Sequence, residues 1–440
     1  MDTKLKSTIL SRIKASTIEH KKFEEIVNKF IKKLKRSAKK NAFKCNFFVG
    51  GSFGKNTYIK GQFDVDLFCR FDLDYEDSKL SPYLEKILID AKLKYKVQKG
   101  SRDYFSVIFG PKDFKIIFEV IPNRNIKKTS QALNTTDLSP FHVLFLKKKL
   151  EKNPHLADEI RLTKQFFKSK KLYGAESYIN GFSGHSIDIL IAHFGSLNNL
   201  IHDAKTWEER KFIDINSSYK NTIEIEKAMG HDKLSSLVIV DPIIKTRNAS
   251  RALSQEKYSE FLFIANTIGE LSLSDFEIEV FDEKKILGDS KEIAVENNLD
   301  LILYKFKVKL SGESEDIAGS KMLKLFTKTK KYFTSLDFNI FDDEFFIDFQ
   351  KGVCLFVFFI EKANLPKLKK VYGPKVFMRD AIYSFLKTRS SFFIEDGKVC
   401  IYEKRTIQNI SEVYKIPLED FKKMLIKDIS FIKSLRYIKR

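Results

Sequence analysis

Two aspartates within an apolar segment constrain the fold of this chain more than any other feature of its sequence. Asp64 and Asp66 alternate with apolar residues between Phe63 and Phe68, which predicts a β-strand. Side chains two positions apart in a strand point to the same face, so the two carboxylates lie together. They repel each other unless a cation lies between them, and hard oxygen ligands beside phosphate favour Mg²⁺. The segment therefore predicts a magnesium site.

A glycine-serine turn precedes this strand in the sequence. Gly51 and Ser52 follow a short apolar strand, Phe47–Val49, and begin a helical stretch that carries Lys55. Small residues let the backbone approach a ligand closely, and free N–H groups at the start of a helix bind phosphate. D-x-D pairs and glycine-serine turns are each common as ordinary structure. Their combination at this spacing predicts a site for phosphate and metal.

A third acidic residue lies in another apolar stretch. Glu119 stands within Ile116–Pro122, which predicts a strand that ends at Pro122. A buried, unpaired glutamate is costly, so we expect Glu119 either to face a cation or to pair with a nearby Lys or Arg. Together with Asp64 and Asp66, Glu119 completes the ligand set of a two-metal site.

The pattern of apolar residues divides the chain into three parts. Residues 1–138 combine a capped amphipathic helix over 16–40 with strands, including one from Asp64 to Phe71, and predict a mixed sheet with helices. Residues 139–255 have mostly helical periodicity, and residues 256–440 mix helices with strands. The strand-like segments of this last part are 276–281, 301–308, 392–394 and 399–402, the last two joined by a hairpin turn at Asp396-Gly397. We expect an α+β multidomain protein.

The chain is strongly basic. Lys+Arg 79 against Asp+Glu 58 leaves a net charge of +21. A surplus of this size either attracts a polyanion such as nucleic acid or belongs to a solvated lysine-rich surface. The four cysteines form no C-x-x-C pair, which predicts free thiols rather than a zinc site or disulfides. The longest apolar run, Val353–Ile360, is too short to span a bilayer and the first residues lack a signal-peptide core, so we expect a cytoplasmic protein without membrane segments.

The turn and the acidic strand belong to a longer pattern. The order G-S-x-x-K-N-T followed by D-x-D is present in Gly51, Ser52, Lys55, Asn56, Thr57, Asp64 and Asp66. In this the sequence resembles the class I, archaeal-type CCA-adding tRNA nucleotidyltransferases, within the DNA polymerase β-like superfamily. Further blocks similar to that family stand in the same order at Ser139–His142, Tyr173–Glu176, Gly181–Gly184, Val240–Pro242 and Arg247-Asn248.

The resemblance implies an enzyme that adds C, C and A to the 3′ end of tRNA without a template, using CTP and ATP, in tRNA processing and repair. The implied partner is tRNA, bound at its acceptor stem and 3′ end. The residues implied to be catalytic and to hold two Mg²⁺ ions are Asp64, Asp66 and Glu119. The residues implied to bind the nucleotide are Gly51, Ser52, Lys55, His142, Lys164, Tyr173 and Arg247. Among these, Ser52 and Lys55 are expected at the triphosphate, and Arg247 is expected to help read the base.

Some of these residues also have an ordinary structural explanation. Lys164, Lys168 and Lys171 have the spacing of one basic helix face, which on the residues alone is either solvated or phosphate-binding. The resemblance favours phosphate binding for Lys164. Without the resemblance, core packing or plain surface positions account for Tyr173, His142 and Arg247.

The sequence departs from the family pattern at three places. Lys55 stands where many relatives have Arg, which replaces a bidentate fork by a point charge. Glu119 stands where Asp is the commoner residue, and its side chain is one methylene longer. The segment Gly100–Lys115, where relatives carry a nucleotide-site His, contains Arg102 and no His, so that contact has no assigned residue.

Two other functions fit the residues. One is a different template-independent RNA nucleotidyltransferase, such as a poly(A) polymerase or an oligoadenylate synthetase-like enzyme. The other is a catalytically inactive RNA-binding relative, although three intact carboxylates argue against it because repelling charges have no reason to stay together without a cation. The sequence leaves open whether all three nucleotides are added and whether the protein forms a homodimer.

Overall fold

The computed structural model describes residues 1–308, 310, 314–389 and 391–413, together with the backbone of 429–430 and 435–438. These residues form two compact units, Met1–Val280 and Phe281–Arg440. The finer division at 138/139 and 255/256 stays a prediction. No helix in the described part of the chain combines the length and apolarity that crossing a membrane requires. The four cysteines are free.

The first unit begins with a mixed five-stranded sheet covered by helices. The helices are α1 (Thr3–Ile13), α2 (Thr17–Lys40), α3 (Gly51–Gly54) and α4 (Leu80–Asp90), with 3-10 turns at Asp77–Lys79, Thr129–Gln131 and Thr135–Leu138. The strands are β1 (Cys45–Val49), β2 (Asp64–Phe71), β3 (Lys96–Gln98), β4 (Tyr104–Phe109) and β5 (Ile116–Arg124). Their order is β1-β2-β5-β4-β3, and only β2 and β5 run parallel. The predicted mixed sheet is confirmed.

Helix α2 has the predicted capping box and covers this sheet. The Ser16 side chain accepts the backbone N–H of Glu19, and the Glu19 side chain accepts that of Ser16. The buried side of α2 packs on the strands, and the rings of Phe30 and Phe118 lie 4.0 Å apart between centroids. Packing of this kind holds β2 and β5 at the centre of a rigid core.

The predicted end of the third strand at Pro122 is wrong. Strand β5 continues to Arg124, and Pro122 lies opposite Cys69 of β2. Pairing with β4 ends at Val120, so from Pro122 onward that side of β5 has no neighbouring strand. A proline fits a strand where its missing N–H is not required by the ladder.

The rest of the first unit is mainly helical, as predicted. Its helices are α5 (Ser139–Lys152), α6 (His155–Ser169), α7 (Gly184–Phe194), α8 (Leu197–Ala204), α9 (Thr222–Met229) and α10 (Gln255–Thr267), with 3-10 turns at His231–Lys233 and Leu273–Phe276. Two short parallel strands, β6 (Lys211–Ile213) and β7 (Leu237–Ile239), were not predicted. Although α1 comes before the sheet in the sequence, it packs in the hydrophobic core of this helical part, through Ile9 and Ile13.

The predicted basic helix face does not extend to Lys171. Helix α6 ends at Ser169, and Lys171 has a left-handed backbone with φ of 56°. Lys164 is buried and Lys168 is half-buried, whereas Lys171 is exposed and pairs with Glu279. Only Lys164 and Lys168 therefore share a face of α6, and their side chains point inward.

The predicted strand at 276–281 is absent. Phe276 ends a 3-10 turn and the residues after it have no regular structure. The carbonyl of Phe276 accepts a hydrogen bond of 2.7 Å from Gln165, and Glu277 pairs with Arg12. Side chains of α1 and α6 thus fix this segment in place, although its alternating apolar and polar residues are typical of a β-strand.

The second unit contains two sheets and three helices among its described residues. The helices are α11 (Glu283–Glu296), α12 (Glu315–Ser335) and α13 (Arg379–Leu386), with a 3-10 turn at Ile410–Glu412. The strands are β8 (Asp300–Val308), β9 (Ile340–Asp348), β10 (Val353–Ile360), β11 (Leu368–Lys375), β12 (Phe393–Glu395), β13 (Lys398–Lys404), β14 (Ile429–Ser430) and β15 (Leu435–Ile438). One sheet has the order β14-β8-β10-β9, with β15 also on β8, and the other has the order β11-β13-β12.

The predicted hairpin of this unit is confirmed. Strands β12 and β13 are antiparallel, and Glu395 lies opposite Lys398. Both turn residues have positive φ, 50° at Asp396 and 70° at Gly397, which is the requirement of a two-residue type I′ turn. The mixture of helices and separate sheets in the two units confirms the α+β multidomain class.

Candidate active site

The three predicted metal ligands lie side by side on the central strands of the first sheet. In the parallel pair of β2 and β5, Asp66 lies directly opposite Glu119, and Asp64 lies opposite Ile117. Val65 of β2 is buried, so the two aspartates project from the less buried face. Neighbouring strands are about 4.8 Å apart, which brings all three carboxylates within the reach of shared cations.

The electrostatics of this group favour a cation. Burial raises the pKa of Glu119 to about 7, and the charges of Asp66 and Asp64 add to the effect. Burial also raises the pKa of Asp66, although the charge of Lys55 lowers it in part. Burial raises the pKa of Asp64 in the same way, and the charge of Lys168 opposes this rise. Three oxygen donors that resist ionisation together are relieved by a divalent ion, so the residues present fit Mg²⁺.

The glycine-serine turn lies directly against Asp66. Gly50 donates its backbone N–H to the carbonyl of Asp66 at 2.7 Å. Gly51 has φ of 58°, and a Cβ at this position would lie 2.2 Å from Oδ2 of Asp66. Only glycine permits both this backbone conformation and this approach. Ser52 follows within the single turn of α3, so the predicted phosphate-binding turn and the acidic strand form one site.

Two predicted phosphate-binding lysines converge on a residue that the sequence did not indicate. Lys55 forms an ion pair with Asp188 of α7, and Nζ of Lys164 lies 3.9 Å from Oδ1 of the same carboxylate. Nζ of Lys164 also lies 3.2 Å from the carbonyl of Thr57. Burial lowers the pKa of Lys164 to about 8. Burial alone would raise the pKa of Asp188, but Lys55 and Lys164 hold it below its usual value.

Arg161 fixes the turn to helix α6. Its guanidinium donates to the backbone carbonyl of Tyr58 at 3.0 Å and to that of Asn56 at 2.6 Å. It also pairs with Asp158 at 2.8 Å. Because Asn56 and Thr57 complete the signature after Lys55, this buried arginine sets the position of the signature relative to α6.

Lys168 and Tyr173 lie near the carboxylate of Asp64. Nζ of Lys168 lies 4.8 Å from the centre of the Tyr173 ring. Burial lowers the pKa of Lys168 to about 8, against the attraction of Asp64 and Glu176. Burial raises the pKa of Tyr173, and Asp188, Glu176 and Asp64 add to it. Tyr173 is therefore a neutral phenol among the charged groups of the site.

His142 and Arg247 form a second group around Asp241. Nε2 of His142 lies 2.8 Å from Oδ1 of Asp241, and Nη1 of Arg247 lies 3.3 Å from Oδ2. His185 of α7 also approaches this carboxylate, at 3.4 Å. Burial would raise the pKa of Asp241, but hydrogen bonds from His142 and His185 hold it well below its usual range. His185 stands one helical turn from Asp188, so α7 connects the two groups.

Ligand atoms of His142, His185 and Asp241 lie within 4.8 Å of one another, a spacing that some metal sites share. The oxygens of Asp241 already accept the backbone N–H of Ile243 at 2.9 Å as well as the histidines. Arg247 adds a positive charge that repels a metal ion. This group is better described as a carboxylate that fixes two imidazoles and a guanidinium in position.

The structure also explains the segment that had no assigned contact. Arg102 is buried and pairs with Asp137 and with Asp77. Asp137 also accepts the backbone N–H of Arg124 at 2.9 Å. Arg102 and Asp137 together thus tie the end of β5 to the start of the helical region. None of these contacts directs Arg102 toward Asp64 or Asp66.

Comparisons with known proteins identify the family. Residues 158–276 match the sequence model of the tRNA nucleotidyltransferase second domain, and residues 310–436 match that of the CCA-adding enzyme C-terminal domain. The CCA-adding enzyme of Nanoarchaeum equitans is 29% identical over 377 residues, covering 83% of this chain and 86% of the relative. That of Methanocaldococcus jannaschii is 29% identical over 416 residues, covering 92% and 88%. The chain belongs to the class I CCA-adding enzyme family. It is therefore a nucleotidyltransferase enzyme of the polymerase β-like superfamily, as its motifs predicted.

Two further likenesses concern the fold of this class I family member. Residues 2–138 match the sequence model of the Second Messenger Oligonucleotide or Dinucleotide Synthetase domain. A solved structure of Cid1, described as having RNA terminal uridylyl transferase activity, aligns with a TM-score of 0.51 at 13% identity. It covers 64% of this chain and 98% of Cid1. This likeness confirms the nucleotidyltransferase fold.

Proposed function

We propose that the chain adds C, C and A to the 3′ end of tRNA, using CTP and ATP and no template, and releases pyrophosphate. The observation that carries the proposal is the register of β2 and β5, which sets Asp66 opposite Glu119 beside the Gly51 turn. The names of the relatives support it, since they are CCA-adding enzymes that align along most of the chain.

In this proposal Asp64, Asp66 and Glu119 hold Mg²⁺, with two ions expected. When bound, the ions supply Lewis acidity at the attacking hydroxyl and at the leaving pyrophosphate. The 3′-oxygen of the RNA forms a bond to the α-phosphorus as the bond from that phosphorus to the β-phosphate oxygen breaks. Glu119, which lies opposite Asp66, is the carboxylate that would take the hydroxyl proton.

The remaining residues bind and orient the nucleotide. Lys55 and Lys164 neutralise the triphosphate beside Gly51 and Ser52, and Tyr173 packs at the edge of the nucleotide. His142 and Arg247 bind the base and sugar of the nucleotide, and Asp241 holds both of them in position. Protein dipoles and charges of this kind are in place before the substrate arrives, so little reorganisation is needed.

We further propose a separate role for each of the three parts of the chain that the sequence predicts. Residues 1–138 carry out the transfer, residues 139–255 bind the nucleotide, and residues 256–440 bind tRNA in the cytoplasm. The net charge of +21 supports binding of the acceptor stem through its backbone. Binding of tRNA is then expected to weaken as salt is added, because counterions are released on binding.

The test is an assay of product sequence. The protein is incubated with Mg²⁺, each nucleoside triphosphate singly and in mixtures, and tRNA that lacks its last three nucleotides; the products are then sequenced. We expect addition of two C residues from CTP, then a single A when ATP is also present, and no addition to tRNA with a complete 3′ end. Addition of long untemplated tails of A would contradict the proposal in favour of a poly(A) polymerase.

The match of residues 2–138 to an oligonucleotide synthetase model favours one alternative. In that case the products are short oligonucleotides or dinucleotides made from ATP or CTP in the absence of tRNA. Chromatography of reactions without RNA distinguishes the two, because a CCA-adding enzyme consumes no nucleotide under these conditions.

Removal of divalent ions is expected to make stability depend on pH through Glu119. The pKa of Glu119 rises from 4.5 to about 7 on folding, so its ionisation opposes folding increasingly as pH rises across that interval. Without Mg²⁺, Glu119→Gln should therefore be more stable than wild type by about 1–3 kcal/mol at about pH 8, and close to equal at about pH 4.5. Adding Mg²⁺ should raise the Tm of wild type more than that of the variant. Thermal unfolding with EDTA or Mg²⁺ measures both; an unchanged difference across pH contradicts the prediction.

A further inference from the structure

Asp188 is the acidic residue on which the two phosphate-site lysines meet. It lies in the second turn of α7 and its side chain is only 4% exposed. Lys55 reaches it from the end of the signature turn, and Lys164 reaches it from α6. The three residues come from separate parts of the sequence, so the contact exists only in the folded first unit.

The contacts of Asp188 are unequal. Its Oδ2 pairs with Lys55, whereas its Oδ1 is buried and has no hydrogen-bond partner among the described residues. Nζ of Lys164 is 3.9 Å from that oxygen, and its hydrogen bonds to Thr57 are long, at 3.2 and 3.3 Å. Lys164 is thus held near Asp188 by charge and only loosely by hydrogen bonds. A loosely held ammonium is free to turn toward a phosphate oxygen.

Asp188 is also the acid among the charged groups that face Lys164. The others are cations: Lys55, Lys168 and Arg161. Burial lowers the pKa of Lys164 to about 8, and Asp188 opposes this fall whereas the three cations add to it. A buried lysine surrounded by cations keeps its proton near neutral pH only if a carboxylate stays beside it.

We propose that Asp188 is a positioning residue that keeps Lys55 and Lys164 side by side for the triphosphate of the incoming nucleotide. The inference rests on the proposed function, because it takes the lysines as triphosphate ligands. Asp188 itself repels phosphate, so it acts through the lysines: Oδ2 orients Lys55, and the nearby Oδ1 keeps Lys164 protonated and within reach. It touches neither substrate nor metal and is therefore not a catalytic residue.

The pH dependence of nucleotide affinity tests this role. Asp188→Asn keeps the shape of the side chain but removes its charge, so the pKa of Lys164 falls further. For a fall of about one unit, the KM for CTP should rise about twofold at about pH 7 and about eightfold at about pH 8.5, relative to wild type. The value of kcat at saturating CTP should change much less. A residue that only stabilises the fold would lower the active fraction, and hence kcat, without this pH-dependent rise in KM.

Two further variants keep the test decisive if Asp188→Asn folds poorly. Asp188→Glu retains the charge, so we expect the wild-type pH profile with KM raised equally at every pH. Lys164→Met removes the titrating group, so its CTP affinity should lose the wild-type decline above about pH 8. Adding Asp188→Asn to Lys164→Met should then leave the pH profile unchanged. A wild-type pH profile in Asp188→Asn, or in Lys164→Met, overturns the inference.

Binding of CTP, measured by calorimetry in parallel with transfer, separates this inference from the proposed function. If CTP binds with the predicted dependence on Asp188 but no nucleotide is added to tRNA, the proposed function fails and the positioning role stands. If transfer occurs but binding does not depend on Asp188, the inference fails alone. If CTP does not bind to the wild-type protein, both are wrong.

Discussion

Asp66→Asn is expected to lower the rate of CTP incorporation into tRNA by about 10³-fold or more. The substitution removes a charge from the centre of the three carboxylates proposed to hold Mg²⁺. Metal stabilisation of a phosphoryl transition state amounts to several kcal/mol, with about 1.4 kcal/mol for each factor of ten. Incorporation of labelled CTP into tRNA that lacks its 3′ end, under single-turnover conditions, measures the effect.

The fold and the binding of tRNA should survive this change. Asn has nearly the shape of Asp, and the loss of one of three repelling carboxylates removes an unfavourable interaction, so the Tm without Mg²⁺ should not fall. The matched control is Asp113→Asn, which alters an exposed aspartate that pairs with Lys22 at 3.0 Å. We expect wild-type transfer from the control. Loss of tRNA binding by Asp66→Asn in proportion to its loss of activity would count against a catalytic role.

Arg102→Met should lower the free energy of unfolding of the first unit by about 3–5 kcal/mol. The substitution leaves the buried carboxylate of Asp137 without the cation that neutralises it. It also removes the bond of 3.3 Å that the guanidinium donates to the carbonyl of Pro122. Urea unfolding, followed by circular dichroism, gives the difference.

The control for this prediction is Arg12→Met. Arg12 forms an ion pair of 3.4 Å with Glu277, and both side chains are more than half exposed. Exposed pairs contribute about 0–1 kcal/mol, so this variant should unfold almost as wild type does. If the two variants lose similar stability, the buried pair between Arg102 and Asp137 is not the anchor that its contacts indicate.

Local patterns in the sequence were reliable where they depend on only a few neighbouring residues. The alternation around Asp64 and Asp66 predicted a strand and a shared face, and both are present. Asp396-Gly397 predicted a hairpin turn, and both residues have the positive φ that this turn requires. Capping at Ser16 and Glu19 predicted the start of a long helix for the same reason, since the capping atoms lie within one turn.

Predictions failed where distant residues decided the outcome. The alternation at 276–281 suited a strand, but side chains of Gln165 and Arg12 hold this segment instead of a sheet edge. The spacing of Lys171 from Lys164 predicted a shared helix face, but α6 ends two residues before Lys171. Pro122 remains in a strand because its neighbour β4 has already ended, which no pattern within β5 reveals.

By itself, the sequence determined the family, the three carboxylates and the turn beside them, because motif residues lie close together in the chain and their geometry follows from a single strand or turn. The tertiary structure decided which charges surround those residues. Lys55 and Asp188 are 133 positions apart, and His142 and Asp241 are 99 apart. Asp188 occupies an ordinary position in an apolar helix, and it acquires its partners only when α7 packs against α6 and the signature turn. Burial then strengthens the interactions between these charges, because two charges interact more strongly in the low dielectric of a protein core than in water.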